Sequence, residues 1–340
     1  MLKSTKLMIA GLFAALAMPV FANPLGQVQK WTEDRVKIDG TIRARFDSVE
    51  VEKARANSRH LNADLWLSAR LYQDWTAKME IEPQLNLKTG KMNGDQDIPM
   101  NKLFIEGTVY DQVKLRAGKF GAFSSYGRVL DNEVTGGELS FNYGGLPTKV
   151  TVGRVTKIFN DNGLGVGVHR NAIAAVQSKY ALTPRTNLGA TLTYVKNTET
   201  PTGKKDAWFG EVGADTQFAP DLSAMAAYSV SNLDDVRNVA GKKVSNHGVF
   251  AGVKYKNADW GKAQSYDVFM NVRHVGAMSG VSSVEDYSKN VQGIQIGANY
   301  VPYKNVKLNA FYLHGKEVDN FAGAKKQKIN VFRAQAEYKF

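Results

Sequence analysis

The side chains that most often carry chemistry are absent or scattered in this chain. Cysteine is missing altogether (Cys 0), which removes thiolate nucleophiles, thiolate metal sites and disulfides together. The five histidines, His60, His169, His247, His274 and His314, recur at no spacing that pairs them with a serine or carboxylate as a nucleophile's base. No His/Asp/Glu group has metal-ligand spacing. The run Gly163-Leu164-Gly165-Val166-Gly167 lacks the lysine and following helix of a phosphate-binding loop. No catalytic constellation, cofactor site or metal site is expected. What remains is the chemistry of fixed charge: arginines, lysines and carboxylates interleaved with apolar residues, which can attract and orient solutes but not transform them.

Such interleaving has a structural period. Leu61, Ala63, Leu65, Leu67, Ala69 and Leu71 fall on one face of an extended strand, and Asn62, Asp64, Trp66, Ser68, Arg70 and Tyr72 on the other. Met79, Ile81 and Leu85 likewise oppose Lys78, Glu80, Glu82, Gln84 and Asn86. A soluble sandwich also alternates. The apolar face here is nearly free of charge, which favours strands with lipid on one side and water on the other. A mean hydropathy of −0.32 fits that division, and Tyr 14 with Phe 16 can furnish interfacial girdles.

The chain begins with two lysines within Met1–Lys6, an apolar run from Leu7 to Val20 and a small-residue exit at Ala22. This is the pattern of a cleavable secretory signal; a spanning helix needs ~20 apolar residues. Residues 1–22 are therefore expected to be a signal peptide and 23–340 one barrel domain. Loss of Lys3 and Lys6 lowers the formal +12 to +10. A basic balance can suit nucleic acid, but these charges alternate with apolar residues instead of clustering, so no nucleic-acid partner is expected.

Sixteen strands can be laid along the chain, the first near 35–50 and the last near 327–340. Short turns at Gln73–Trp75, Tyr110–Gln112, Gly144–Pro147, Leu182–Pro184, Ala219-Pro220, Asn257–Gly261 and Pro302-Tyr303 alternate with longer links near 88–100, 121–136, 157–169, 198–205, 232–245, 277–290 and 318–326. Only the first outer link, near 51–58, is brief. The even count and the short-long order predict an all-β transmembrane antiparallel barrel with short periplasmic turns and longer external loops.

The last strand, Ala334-Gln335-Ala336-Glu337-Tyr338-Lys339-Phe340, alternates and stops on phenylalanine. Here the chain resembles the outer-membrane general porins, sixteen-stranded bacterial barrels, over its whole mature length. The resemblance implies a water-filled channel in the outer membrane for passive diffusion of ions and small hydrophilic solutes. It also implies a homotrimer in outer-membrane lipid and recognition of Phe340 by the barrel-insertion machinery. In that class the loop after strand five folds inward and narrows the channel. At that position stand Gly118 and Gly121, an aromatic patch of Phe120, Phe123 and Tyr126, and the charged Arg128, Asp131 and Glu133. The class's Pro-Glu-Phe-Gly-Gly-type element is missing.

Strand parity assigns Arg43, Arg45, Arg70, Lys78, Lys102, Arg116, Lys254, Lys307 and Arg333 to the lumen. The carboxylates of Asp64, Glu80, Glu82, Glu106, Glu138, Glu211, Asp215, Asp267 and Glu337 share that face. Arg43, Arg45, Arg70 and Arg333 belong to neighbouring strands of a closed barrel; with Lys78 and Arg116 they form an expected basic wall facing Asp131 and Glu133, with a weak anion preference. The alternatives are a substrate-specific channel for phosphate, acidic sugars or oligosaccharides, an adhesive or structural barrel, and an outer-membrane enzyme. Trp66, Tyr72, Phe104 and Phe250 share the lumen parity without forming an obvious run.

Overall fold

The computed structural model describes residues 35–92, 100–110, 112–155, 170–200, 203–238, 240–281, 290–320 and 325–340. The expected signal over 1–22, His169 and the Gly163–Gly167 run lie outside them. Seventeen strand segments lie in chain order in one antiparallel sheet, and β1 (Val36–Val51) also pairs with β17 (Lys328–Lys339). That pairing closes the sheet into a barrel.

β3 (Thr76–Ile81) and β4 (Gln84–Asn86) both pair with β2 (Ala54–Arg70) and are two pieces of one barrel strand. The break falls at Glu82-Pro83, because proline supplies no N–H to a ladder; its carbonyl still accepts from Ala63 N at 3.0 Å. Counted as one, the pieces leave sixteen strands, as expected from the turn pattern.

The remaining strands are β5 (Met100–Tyr110), β6 (Val113–Phe123), β7 (Asp131–Tyr143), β8 (Leu146–Val155), β9 (Ala172–Thr183), β10 (Thr186–Thr200), β11 (Gly203–Ala219), β12 (Leu222–Ser231), β13 (His247–Lys256), β14 (Ser265–Val275), β15 (Val291–Tyr303) and β16 (Val306–Glu317). Alternation sorts their side chains. On β14, Tyr266, Val268, Met270 and Val272 stand exposed on the outside, while Asp267 and Arg273 are buried within the barrel. Ile294, Ile296 and Tyr300 of β15 and Leu308 and Tyr312 of β16 extend the outer apolar belt, the surface a bilayer covers. At the seam Gly40 and Phe340 exchange backbone hydrogen bonds (3.2 and 3.1 Å), so the terminal phenylalanine completes the ladder.

Three links are shorter than expected. The first, near 51–58, contracts to Glu52-Lys53, because the ladder of β1 and β2 runs to Val51↔Ala54. β10 and β11 continue to Thr200↔Gly203, absorbing most of the link near 198–205, because Glu199 and Lys204 pair across the ladder. The link near 121–136 contracts to residues 124–130, since β6 runs to Phe123 and β7 starts at Asp131.

That hairpin does not stay in the wall. β6 pairs with β5 only as far as Leu103↔Lys119, and β7 with β8 only as far as Val134↔Val155. Beyond these points, among the described residues, the two arms pair only with each other, from Phe120↔Val134 to Phe123↔Asp131. The departure begins at Gly118, whose φ of 130° suits glycine alone and where a Cβ would collide with the Leu103 carbonyl.

Candidate solute pathway

The inward hairpin crosses to the opposite wall, where Glu211 of β11 receives it. This carboxylate is 2% exposed. It accepts from Ser124 Oγ (2.7 Å) and from the backbone N–H groups of Tyr126 (2.7 Å), Arg128 (2.6 Å) and Val129 (3.1 Å). Four donors compensate a buried negative charge that would otherwise be costly.

Tyr126 lies flat against β10 and β11, where Gly189 and Gly213 leave room. A Cβ at either would come within 2.8 or 2.7 Å of the ring. Its hydroxyl donates to Asn187 O (3.2 Å), and Lys179 Nζ sits 4.6 Å from the ring centroid. Arg128 donates from Nε to Tyr126 O and stacks 4.1 Å over Phe250, which Arg273 also approaches.

The crossing divides the lumen. One face of the hairpin, Phe120, Ala122 and Val134, packs into a buried apolar cluster with Phe209, Val195 and Ile173 of the wall. Outer segments fold down onto the same cluster through Leu233, Val236, Val244, Met278 and Val281, and Val281 N donates to Val129 O (2.8 Å). This fills the outer half of the lumen beside β8–β14. Phe123 and Gly121, on the hairpin's other face, look into a cavity shared with Trp66, Lys102, Phe104 and Arg116. The other side of the lumen is walled by the remaining strands, β15–β17 and β1–β7.

Those strands carry most of the expected basic residues, interleaved with carboxylates. Arg43 reaches Asp64 (3.1 Å) and Glu337 (3.4 Å), and Arg45 donates to Gln335 Oε1 (2.7 Å). Arg333 pairs with Asp47 (2.6 Å) and lies over Phe311. The three arginines meet across β17, β1 and β2, with three acids between them.

A second chain runs along the adjoining wall. Lys78 and Arg116 share Glu106 (2.6 and 3.2 Å), and Arg116 also reaches Glu138 (3.5 Å). Arg70 stands exposed at the periplasmic end of β2, opposite Thr76. Arg128 is on the far wall. Asp131 and Glu133 belong to β7; Glu133 is buried and accepts from Asn101 Nδ2 (3.4 Å), the same amide that donates to Glu80 and Glu82.

Parity put Glu211 in the lumen but could not single it out as the anchor, because its donors come from a distant hairpin. The aromatic residues also gather more closely than the sequence suggests. Trp66, Phe104 and Phe120 form successive edge-on contacts with centroids 6.3 Å apart. They come from different strands, so no run along the chain records the line.

No family model and no curated relative matches this chain. Solved structures do match in fold. The outer-membrane channel DcaP of Acinetobacter baumannii aligns with a TM-score of 0.55 at 17% identity, over 90% of this chain and 97% of that one. Pseudomonas aeruginosa OccK2, determined in complex with glucuronate, gives 0.57 at 13% identity over 90% and 98%. Pseudomonas putida OprB gives 0.60 at 10% identity over 93% and 96%. The chain thus has the closed-barrel fold of the outer-membrane porins.

Proposed function

We propose that this chain is an outer-membrane porin, a water-filled channel through which ions and small hydrophilic solutes diffuse passively, with a weak anion preference. The observation that carries the proposal is the hairpin of β6 and β7, which leaves the wall at Gly118 and docks on Glu211, constricting the lumen beside a wall of charged side chains. Facing charged groups create a transverse field that favours polar solutes, and a surplus of one sign biases ion choice.

The anion preference is supported by a broad cavity in the lumen. Arg45, Arg185, Lys254, Lys256 and Arg333 line it against only Asp215 and Asp221. On this reading the chain is exported by residues 1–22, cut near Ala22, inserted through recognition of Phe340 and assembled as a homotrimer. No catalytic step is assigned, and the solved structures of similar fold are channels.

Reversal potential across a salt gradient tests the preference. The purified protein in planar bilayers is expected to give an anion-directed potential that shrinks after Arg45→Ala and again after Arg70→Ala. A cation-directed potential, or one indifferent to both substitutions, would remove the basic wall from the account. A substrate-specific channel is the second reading, favoured by the aromatic line of Trp66, Phe104 and Phe120.

A further inference from the structure

The cavity beneath the hairpin differs in character from the rest of the lumen. Phe123 is 49% exposed at the end of β6, and Trp66 is partly exposed on β2; both line this one cavity. Behind Trp66, Phe104 and Phe120 meet in edge-on contacts at interplanar angles of 77° and 73°, a backing that fixes ring orientation. Gly121 keeps the floor open, since a Cβ there would press on the Phe123 ring (3.2 Å) and on Lys102 Cε (3.3 Å).

The cations that line this cavity each have a carboxylate partner, Lys37 in Asp39 (2.9 Å) of the same lining and the others in carboxylates behind it. Lys102 Nζ lies 5.2 Å over Trp66 while bound to Glu80 at 2.5 Å. Arg116 lies 5.1 Å over Phe104 while joined to Glu106 and Glu138, and Lys78 is held by Glu106. The surplus of cations belongs instead to the cavity that Arg45, Arg185 and Lys254 line. A carboxylate or phosphate solute would find its attraction there, not beside Trp66.

A ligand for the balanced cavity needs an apolar flat face for the rings and a rim of groups that both donate and accept hydrogen bonds. It also needs no net charge to satisfy. A pyranose ring has all three properties: axial C–H groups on one face and hydroxyls at the edge. We propose that Trp66 and Phe123 form a stacking subsite for neutral hexoses at the constriction, with Lys102, Arg116, Asp39 and Ser68 serving the hydroxyls. Binding at a channel's narrowest point speeds permeation when it is strong enough to capture and weak enough to release. The inference rests on the channel reading and names its solute class.

The test compares D-glucose with D-mannitol, an open-chain hexitol that has the hydroxyls but no ring face. Initial uptake of each labelled solute, at micromolar concentration, is measured in proteoliposomes carrying the full chain. Glucose is expected to enter about fivefold faster than mannitol, the worth of one aromatic stacking contact. The ratio is expected to fall towards unity in Trp66→Ala and in Phe123→Leu; the latter keeps apolar bulk at an exposed position and removes only the ring. A ratio of one in the unaltered protein, or a ratio unmoved by Phe123→Leu, would overturn the subsite while potassium chloride conductance left the channel reading intact. Preferential uptake of benzoate over glucose would also overturn it. Absence of any conductance would remove the channel reading itself.

Discussion

Glu211 lies where the inward hairpin meets the opposite wall, and at 2% exposure its carboxylate has little access to solvent that could replace a lost donor. Glu211→Gln substitutes an N–H₂ for one acceptor oxygen and turns it towards backbone N–H groups. The expected cost is about 3 kcal/mol, the scale for hydrogen bonds to a charged group, read as a lower thermal midpoint in detergent. Gly213→Val attacks the same docking from the other side by filling the space under the Tyr126 ring. Both variants are expected to raise hydrogen exchange over residues 124–130 and leave the β14–β17 amides protected. Protection of 124–130 equal to that of the unaltered protein would mean that Glu211 and Gly213 do not hold the hairpin. The Arg333–Asp47 pair, buried between β17 and β1, makes a separate prediction. A double-mutant cycle with Arg333→Ala and Asp47→Ala should show coupling of about 1–2 kcal/mol, as expected of side chains in direct contact.

Among the elements, the strands were readable because each records its environment in its own period. Leu61–Tyr72 and Thr76–Asn86 assign inside and outside without reference to any partner. The hairpin was half readable. Gly118 and the aromatic residues after it mark an inward turn, but its length depends on where ladder pairing to β5 and β8 stops, which is a property of three strands together. For that reason Asp131 and Glu133 fall on β7 and not on a free loop. The break at Pro83 is local chemistry that the period does not record: the alternation over Thr76–Asn86 runs through it, and only the missing N–H interrupts the ladder. Gly118 should tolerate nothing larger. Gly118→Val combines a left-handed φ with a collision against Leu103 O, at a cost of about 1–3 kcal/mol for the backbone strain alone. Refolding yield into detergent, followed by the gel shift of the folded barrel, should drop in this variant and not in Gly145→Asn, whose φ of 84° lies in an open turn.

For the whole molecule, closure of β1 on β17 provides a rigid wall, and the charges on that wall are largely paired across strands. Pairing explains why only a weak preference between ions is expected from a chain of formal charge +12. The preference should also fade with salt, since the screening length falls from about 10 Å at 0.1 M to about 3 Å at 1 M. Reversal potentials at one fixed concentration ratio should therefore be more anion-directed in dilute salt. Potentials that do not change with absolute concentration would place the selecting charges out of reach of the electrolyte.

The most direct test of the central claim, an aqueous pore narrowed by the docked hairpin, is single-channel conductance of the purified protein in planar bilayers beside Glu211→Gln. The account predicts discrete, ohmic steps from the unaltered protein and larger, noisier steps once the hairpin is released. Folded protein that inserts without conducting, or steps of identical size and stability in the two proteins, would contradict it.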